Sequence, residues 1–189
     1  MIGRLKIADD LLEAALAAVS AEDEFMVEAL DALPAAVYVT DADGRVTHYN
    51  RACLGFAGRT PQPGDQWCVT WKLFTLDGDF LPHDACPMAV AIKERRAVRD
   101  VEAFAERPDG SRVRFQPFPT PLYGEDGTFR GAINVMIDVT DIRRAGELRM
   151  QAARCRRLAN SVLDRQTLDS LEELAEECDA EAERLSRVN

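Results

Sequence analysis

No part of the 189-residue chain approaches the roughly 18 consecutive apolar residues that a membrane-spanning helix needs. The opening segment, MIGRLKIADDLLEAALAAV, carries acids where a secretory signal is apolar, and it shows no cleavage pattern. A cytoplasmic protein without a membrane partner is therefore expected. Cysteine spacing of the zinc-knuckle or redox-motif kind is also missing. Cys53, Cys68, Cys86, Cys155 and Cys178 are odd in number and scattered, with no CxxC or CxxxH among them. Such a pattern fits reduced thiols in a cytosol and assigns no metal site. The chain has no P-loop, no GxSxG and no HExxH. No catalytic residue is assigned, and the chain is read as non-enzymatic.

What is present begins with charge. Thirty-three acidic residues against 23 basic ones give a formal net charge of -10. A surface that acidic repels phosphate backbones, so nucleic acid is not an expected partner. One segment runs against this balance: Arg143, Arg144, Arg149, Arg154, Arg156 and Arg157 crowd together. An acidic segment follows, with Asp169, Glu172, Glu173, Glu176, Glu177, Asp179, Glu181 and Glu183. A basic helix followed by an acidic one points to pairing with each other or with a protein partner.

Hydrophobic periodicity divides the chain. Residues 5–32 have helical spacing at Leu12, Ala15, Leu16 and Val19, with Ser20 and Asp23 forming a variant capping box for a second helix that ends near Leu33-Pro34. AVYVTDADGRVTHYN then has the form of strand, Asp-Gly turn and strand. RACLGFAGRTPQPGD is short helix and loop, WCVTWKLFTLDGDFLPHDA is apolar but irregular, and Pro87 suits the first turn of a helix through PMAVAIKERR. Three more strands are expected in AVRDVEAFAE, SRVRFQPFPTPL and FRGAINVMID. In the last, Ile133, Val135 and Ile137 share one face and Ala132, Asn134 and Met136 the other. The layout is α+β: a five-stranded antiparallel sheet with helices on one side, an N-terminal helical cap and a C-terminal helical hairpin. The hairpin rests on two three-four series, Ala145, Leu148, Ala152, Cys155, Ala159, Val162 and Leu168, Leu171, Ala175, Cys178, Ala182, Leu185, broken at Asp164 and Arg165.

From about Leu33 to Arg144 the chain resembles a PAS domain. The resemblance is carried by VYVTDADGRVTHYNRA, RPDGSRVRF and PLYGEDGTFRGAINVMIDVTDIRR, the last with an exit motif reading Asp138-Val139-Thr140. It implies three parts: a cap or dimerisation segment at 1–32, a PAS domain at 33–140 and a helical hairpin at 141–189. It also implies a sensory or regulatory module that signals by protein contact. In that family the last strand continues into a signalling helix, which gives Asp138 and Thr140 a coupling role, with Thr140 as helix cap. The expected partners are a second copy, in a parallel homodimer through residues 5–32 and 141–162, and a signalling protein that the sequence does not identify.

No cofactor is identified. The flavin photosensors of the family use a cysteine in an Asn-Cys-Arg-Phe run, and RACLGFAG after Asn50 does not match it. A heme- or redox-sensing alternative rests on His83, near where heme-binding relatives carry their ligand, and on Cys86, whose Cys-Pro pair resembles a thiolate heme-regulatory dipeptide. His48 is read as a sheet residue. Trp67, Trp71 and Phe74 are spaced like one helical face or a pocket wall. They are read first as core and, with Met88, Ile92 and Phe115, as the lining of any ligand pocket.

Overall fold

The Asp-Gly turn after the first strand is built as its residues dictate. Asp41 Oδ1 accepts from the backbone N–H of Asp43 at 3.0 Å and of Arg45 at 2.8 Å. Gly44 has φ 80°, and a Cβ there would stand 2.4 Å from the ring of Trp67. The turn therefore needs glycine twice over, for its backbone and as a seat for the indole. It joins β1 (Ala36–Asp41) to β2 (Val46–Tyr49).

The structure, a computed structural model, describes residues 2–19, 23–62 and 64–187. Two compact units divide the chain after Asp138. In the first, helices α1 (Ile2–Val19) and α2 (Asp23–Asp31) precede β1 and β2. They are followed by α3 (Ala52–Ala57), the short strands β3 (Lys72–Phe74) and β4 (Phe80–Leu81), and α4 (Pro87–Glu94). β5 (Ala103–Glu106), β6 (Arg112–Tyr123) and β7 (Phe129–Asp138) complete the unit. Every pairing is antiparallel, in the order β2-β1-β7-β6-β5-β3-β4. The expected α+β class holds, with seven strands in place of five. The two extra strands form a three-against-two-residue hairpin inside the irregular segment, too short to show a period of two. The expected strand over AVRDVEAFAE shortens to its last four residues, because Asp100 takes φ 59° and turns the backbone out of the ladder.

The two faces of the sheet are covered differently. On one lie α3 and α4, with Cys53, Phe56, Met88, Ala89 and Ile92 packed against Tyr38, Phe115, Ala132 and Met136. On the other, Leu12, Ala15, Ala18, Met26 and Leu30 of α1 and α2 cover Val37, Val39, Phe118, Ile133 and Val135. The apolar stripe of residues 5–32 thus meets the chain's own sheet. Helices occupy both faces, not one. Ser20, the expected cap of the second helix, lies outside the described residues.

β6 carries prolines at 117, 119 and 121 although it lies inside the sheet. Its first part, Arg112–Phe115, pairs with β5, whereas Gln116–Tyr123 pairs with β7 alone. The Pro119 carbonyl accepts from Val98 N–H at 3.2 Å, so this alternate set faces away from β7. Proline costs the ladder nothing there, because the missing donors would have met no strand.

In the second unit, α5 (Thr140–Ala159) and α6 (Arg165–Arg187) form the expected hairpin within one chain. Ala152, Cys155, Ala175 and Cys178 are buried in its seam, with Leu148 and Leu171 against them. At the rim Arg156 pairs with Asp179 at 2.5 Å and Arg149 donates to Ser186 Oγ at 2.7 Å. Asp164 Oδ2 accepts from Thr167 N–H at 2.9 Å and caps α6, and the hydrogen bond from the Thr167 hydroxyl holds its carboxyl below the usual range. Helix α5 opens on Thr140 itself, with Val139 in the cap position. The expected capping role of Thr140 is thereby corrected: it occupies the first helical position. No helix among the described residues is long and apolar enough to cross a membrane.

Candidate functional site

Polar groups gather inside the α3/α4 face of the sheet. Tyr38 is fully buried on β1, and its hydroxyl donates to the Trp67 carbonyl at 2.9 Å. The same hydroxyl accepts from Asn134 Nδ2 of β7 at 3.2 Å, while Asn134 Oδ1 accepts from Phe118 N–H at 3.0 Å. Trp67 makes this possible by adopting φ 70°, unusual for a bulky residue. Its N–H is anchored on the Gly44 carbonyl at 2.7 Å. The turn, the tryptophan and the central strand are thus one hydrogen-bonded series.

Two thiols border that series. Cys68 follows Trp67 and is buried, with Sγ 3.1 Å from Thr70 Oγ1. Cys86 occupies the cap position of α4, accepting from Ala89 N–H at 3.5 Å, and its Sγ lies 3.9 Å from the Trp67 carbonyl oxygen. Cys68, next in sequence to Trp67, and Cys86, whose Sγ faces the Trp67 carbonyl, are thus neighbours in the same core. Their acidities split in opposite directions. The hydrogen bond from Cys86, then the Thr70 hydroxyl and the charge of His83, lower Cys68 despite its burial. Donating to Cys68, together with burial, raises Cys86. Burial also raises Tyr38, and it pushes Cys53, which donates to the Val37 carbonyl at 3.2 Å, up to about 12.

Asn50 closes the other end of β1. Its Oδ1 accepts from Val37 N–H at 2.9 Å, and its Nδ2 donates to the carbonyls of Leu30 at 2.9 Å and Ala35 at 2.8 Å. One buried amide therefore joins α2, the strand and the start of α3.

Of the pocket candidates read from the sequence, Met88, Ile92 and Phe115 do come together, in the core against Phe56, with Trp67 at its margin. Trp71 and Phe74 do not join them. Trp71 is 52% exposed, and Phe74 stacks on Phe80 of the small hairpin with the Arg112 guanidinium 4.1 Å from its ring. The expected wall needed a helix, and this segment forms turns and a strand in its place. A cleft of about 870 Å³ does open beside Trp67, between Arg45, Gln66, Ile92, Lys93 and Phe129.

His83 begins a single 3-10 turn before α4, and its Nε2 is buried without a hydrogen-bond partner among the described residues. His48 lies in β2 opposite Val39, as expected. A heme held by His83 or Cys86 would need the space between sheet and α4. Phe56, Met88, Ile92 and Phe115 fill it, with the two rings edge to face at 5.3 Å. The residues present do not fit that group. Among the described residues no three His, Cys, Asp or Glu side chains are grouped to hold a metal ion. Asp138 ends β7, and Thr140 begins α5, with Val139 alone between them.

The sequence reading missed Tyr38, Cys68 and Asn134. For Asn134 a signal existed: an amide on the buried face of an otherwise apolar strand needs partners. For the thiols there was none, because 18 positions separate Cys68 from Cys86 and only the fold closes that distance.

Comparison with known proteins agrees with the architecture. The PAS domain of a protein from Colwellia psychrerythraea is 22% identical, covering 60% of this chain and 92% of its own, with a TM-score of 0.47. The PAS domain from the fruit-fly ELK potassium channel is 9% identical over 64% of this chain and 99% of its own, TM-score 0.50. A structure described as the RsLOV d2 variant is 18% identical over 94% of this chain and 97% of its own, TM-score 0.46. At such identities the likeness speaks for the fold alone. No curated protein matches the sequence closely enough to count as a relative. The family model for the PAS fold matches residues 30–144, more than half of the chain. With a Tyr38–Asn134 pair inside an antiparallel sheet and helices packed on it, the chain belongs to the PAS fold family.

Proposed function

We propose that the protein is a non-enzymatic sensory module that acts as a homodimer and reports to a signalling protein through its flanking helices. PAS domains are in general sensory modules. One observation carries the reading. β7 presents Asn134 to the buried polar series, and the same strand ends at Asp138, with α5 starting at Thr140. A change in the core that moves Asn134 has only four residues of strand to travel before the helix begins. A rigid strand transmits a displacement that a flexible linker would absorb. Exposed Phe25 and Val27 on α2 offer apolar area for a second copy.

The test is made at the junction. Asp138→Ala and Thr140→Ala should keep the circular dichroism of the sheet while accelerating amide exchange in residues 141–162 and weakening partner binding. Unchanged exchange in both variants would remove the coupling role. Light scattering at micromolar concentration tests the homodimer, which a strictly monomeric mass would exclude.

A further inference from the structure

We infer that the cleft beside Trp67 is a binding site for a small aromatic carboxylate, and that its occupant is the signal this module senses. The second clause rests on the sensory reading and names its input. The chain carries a formal net charge of -10, yet the walls of this cleft hold Arg45, Lys93 and Arg95 against a single acid, Asp43. Asp43 is engaged by Arg45 at 2.8 Å. The carboxylates next in sequence to the wall are engaged as well: Glu94 pairs with Arg96 at 2.6 Å, and Asp126 accepts from Thr128 N–H at 3.0 Å. Lys93 and Arg95 have no carboxylate partner among the described residues. Lys93 Nζ donates to the Asp84 carbonyl, which carries no charge. Each of these two cations is held against an aromatic ring of the cleft wall. Lys93 Nζ lies 5.2 Å from the centre of the Trp67 ring, and Arg95 Cζ lies 5.4 Å from that of Phe129. The backbone of Arg95 is fixed too, at φ 51°, with its carbonyl accepting from the Tyr123 hydroxyl at 3.2 Å.

A guanidinium and an ammonium already ordered against rings meet an anion without first losing their freedom. The planar fork of Arg95 matches the two oxygens of a carboxylate. Beside the charges the wall is apolar, with Ile92, Trp67 and Phe129, so it suits a flat apolar body and offers little to a hydrated inorganic ion. A volume of about 870 Å³ is within the range of small-molecule sites. The interior between the sheet and α4 is filled by Phe56, Met88 and Phe115, which leaves the cleft at its margin as the place with room. Its wall is also tied to the buried polar series. Trp67 donates its N–H to the Gly44 carbonyl at 2.7 Å, and its own carbonyl accepts from the Tyr38 hydroxyl, which accepts from Asn134 on β7. A body that displaces the indole therefore pulls on the backbone that Tyr38 and, through it, Asn134 are bonded to.

The chain has two tryptophans, and in Trp71→Phe the indole of Trp67 reports alone. Benzoate should change its emission saturably. It should bind about tenfold more tightly than benzamide, which has the ring without the charge, than acetate, which has the charge without the ring, and than inorganic phosphate. Raising the salt from about 20 to about 200 mM should weaken benzoate several-fold. Arg95→Gln should lower its affinity about tenfold and Lys93→Gln by less. Arg96→Gln, which removes the same charge outside the cleft wall, should lower it less than about twofold. No saturable response below about 10 mM overturns the site. Equal binding of benzamide, acetate or phosphate overturns it too, and so do equal losses in Arg95→Gln and Arg96→Gln. Should a variant fail to fold, the amide shifts of the full wild-type chain with benzoate decide alone. They should gather at residues 42–45, 66–67, 92–95 and 127–129, and shifts centred on Phe56 and Phe115 in their place overturn the inference. Amide exchange in residues 141–162 with benzoate bound separates the two readings. Binding without any change there leaves the site standing and removes it as the input, whereas absence of binding removes the site and leaves the sensory reading untouched.

Discussion

The two faces of this sheet are built from different materials. The cluster under α1 and α2 is aliphatic apart from Phe118 and Met26, with the Arg99 guanidinium at its margin, 5.8 Å from the Phe118 ring. The face under α3 and α4 has comparable burial, yet it holds Tyr38, Cys53, Cys68 and Cys86, with Asn134 reaching into it. A buried polar group is tolerated only when partnered, and leaving one unpaired costs about 1–3 kcal/mol. The aliphatic face can hold the fold together at less risk. The difference teaches that apolar packing and polar, titratable groups have been divided between the faces, with the strands as their common wall.

Substitutions can break that division or sharpen it. The largest loss should come from Phe115→Ala, which empties a buried position against Phe56 and should cost about 3–5 kcal/mol in a urea melt. On the other face Leu30→Ala should cost about 2–4 kcal/mol. A loss larger than that of Phe115→Ala would show that the aliphatic face holds the fold more firmly than the polar one. Tyr38→Phe keeps the ring but orphans Asn134 Nδ2 and leaves the Trp67 carbonyl with only the long contact from the Cys86 thiol, and a loss of about 1–3 kcal/mol is expected.

Alkali should act first on the polar face. Cys53 titrates near 9 in the unfolded chain and about 12 when folded. Unfolding therefore releases a proton above pH 9, and stability, full below that pH, falls as pH rises toward 12. At pH 10 the loss should be on the order of 1 kcal/mol, and Cys53→Ala should flatten the melting profile between pH 9 and 11. The raised Tyr38 adds a loss of the same sign. The smallest effect belongs to the hairpin. Arg156→Ala removes a half-exposed ion pair worth about 0–1 kcal/mol, less than Leu171→Ala in the seam. Equal melts for these two would mean that charge, not packing, holds α5 to α6.

Much of this was legible in the residues, and the reason is local. Asp41 to Gly44, Pro108 to Gly110 and Gly124 to Gly127 announce their turns by composition, and each joins strands of clear alternation. The hairpin seam needs only one helical period, so Cys155 and Cys178 were placed correctly as a pair of faces. Long-range geometry was not legible. Nothing in the spacing of Trp67, Trp71 and Phe74 says that the first turns its carbonyl inward while the second faces solvent. That outcome depends on a positive φ and on Gly44, which lies 23 positions earlier. Covering of the second face by α1 and α2 was equally hidden, since an amphipathic stripe does not say whose surface it meets.

The alternating prolines of β6 have a consequence for how copies of this chain can meet. A sheet recruits a foreign strand by offering a row of donors and acceptors, and along Pro117, Pro119 and Pro121 the donors do not exist. Val98 and Arg99 already occupy the Pro119 carbonyl. The outermost strands, β2 and β4, are four and two residues long, too short to template much. The chain is thus guarded against growing into a continuous ribbon with its neighbours, and the homodimer proposed above would have to be made through side chains on helices, where contacts can be made and undone.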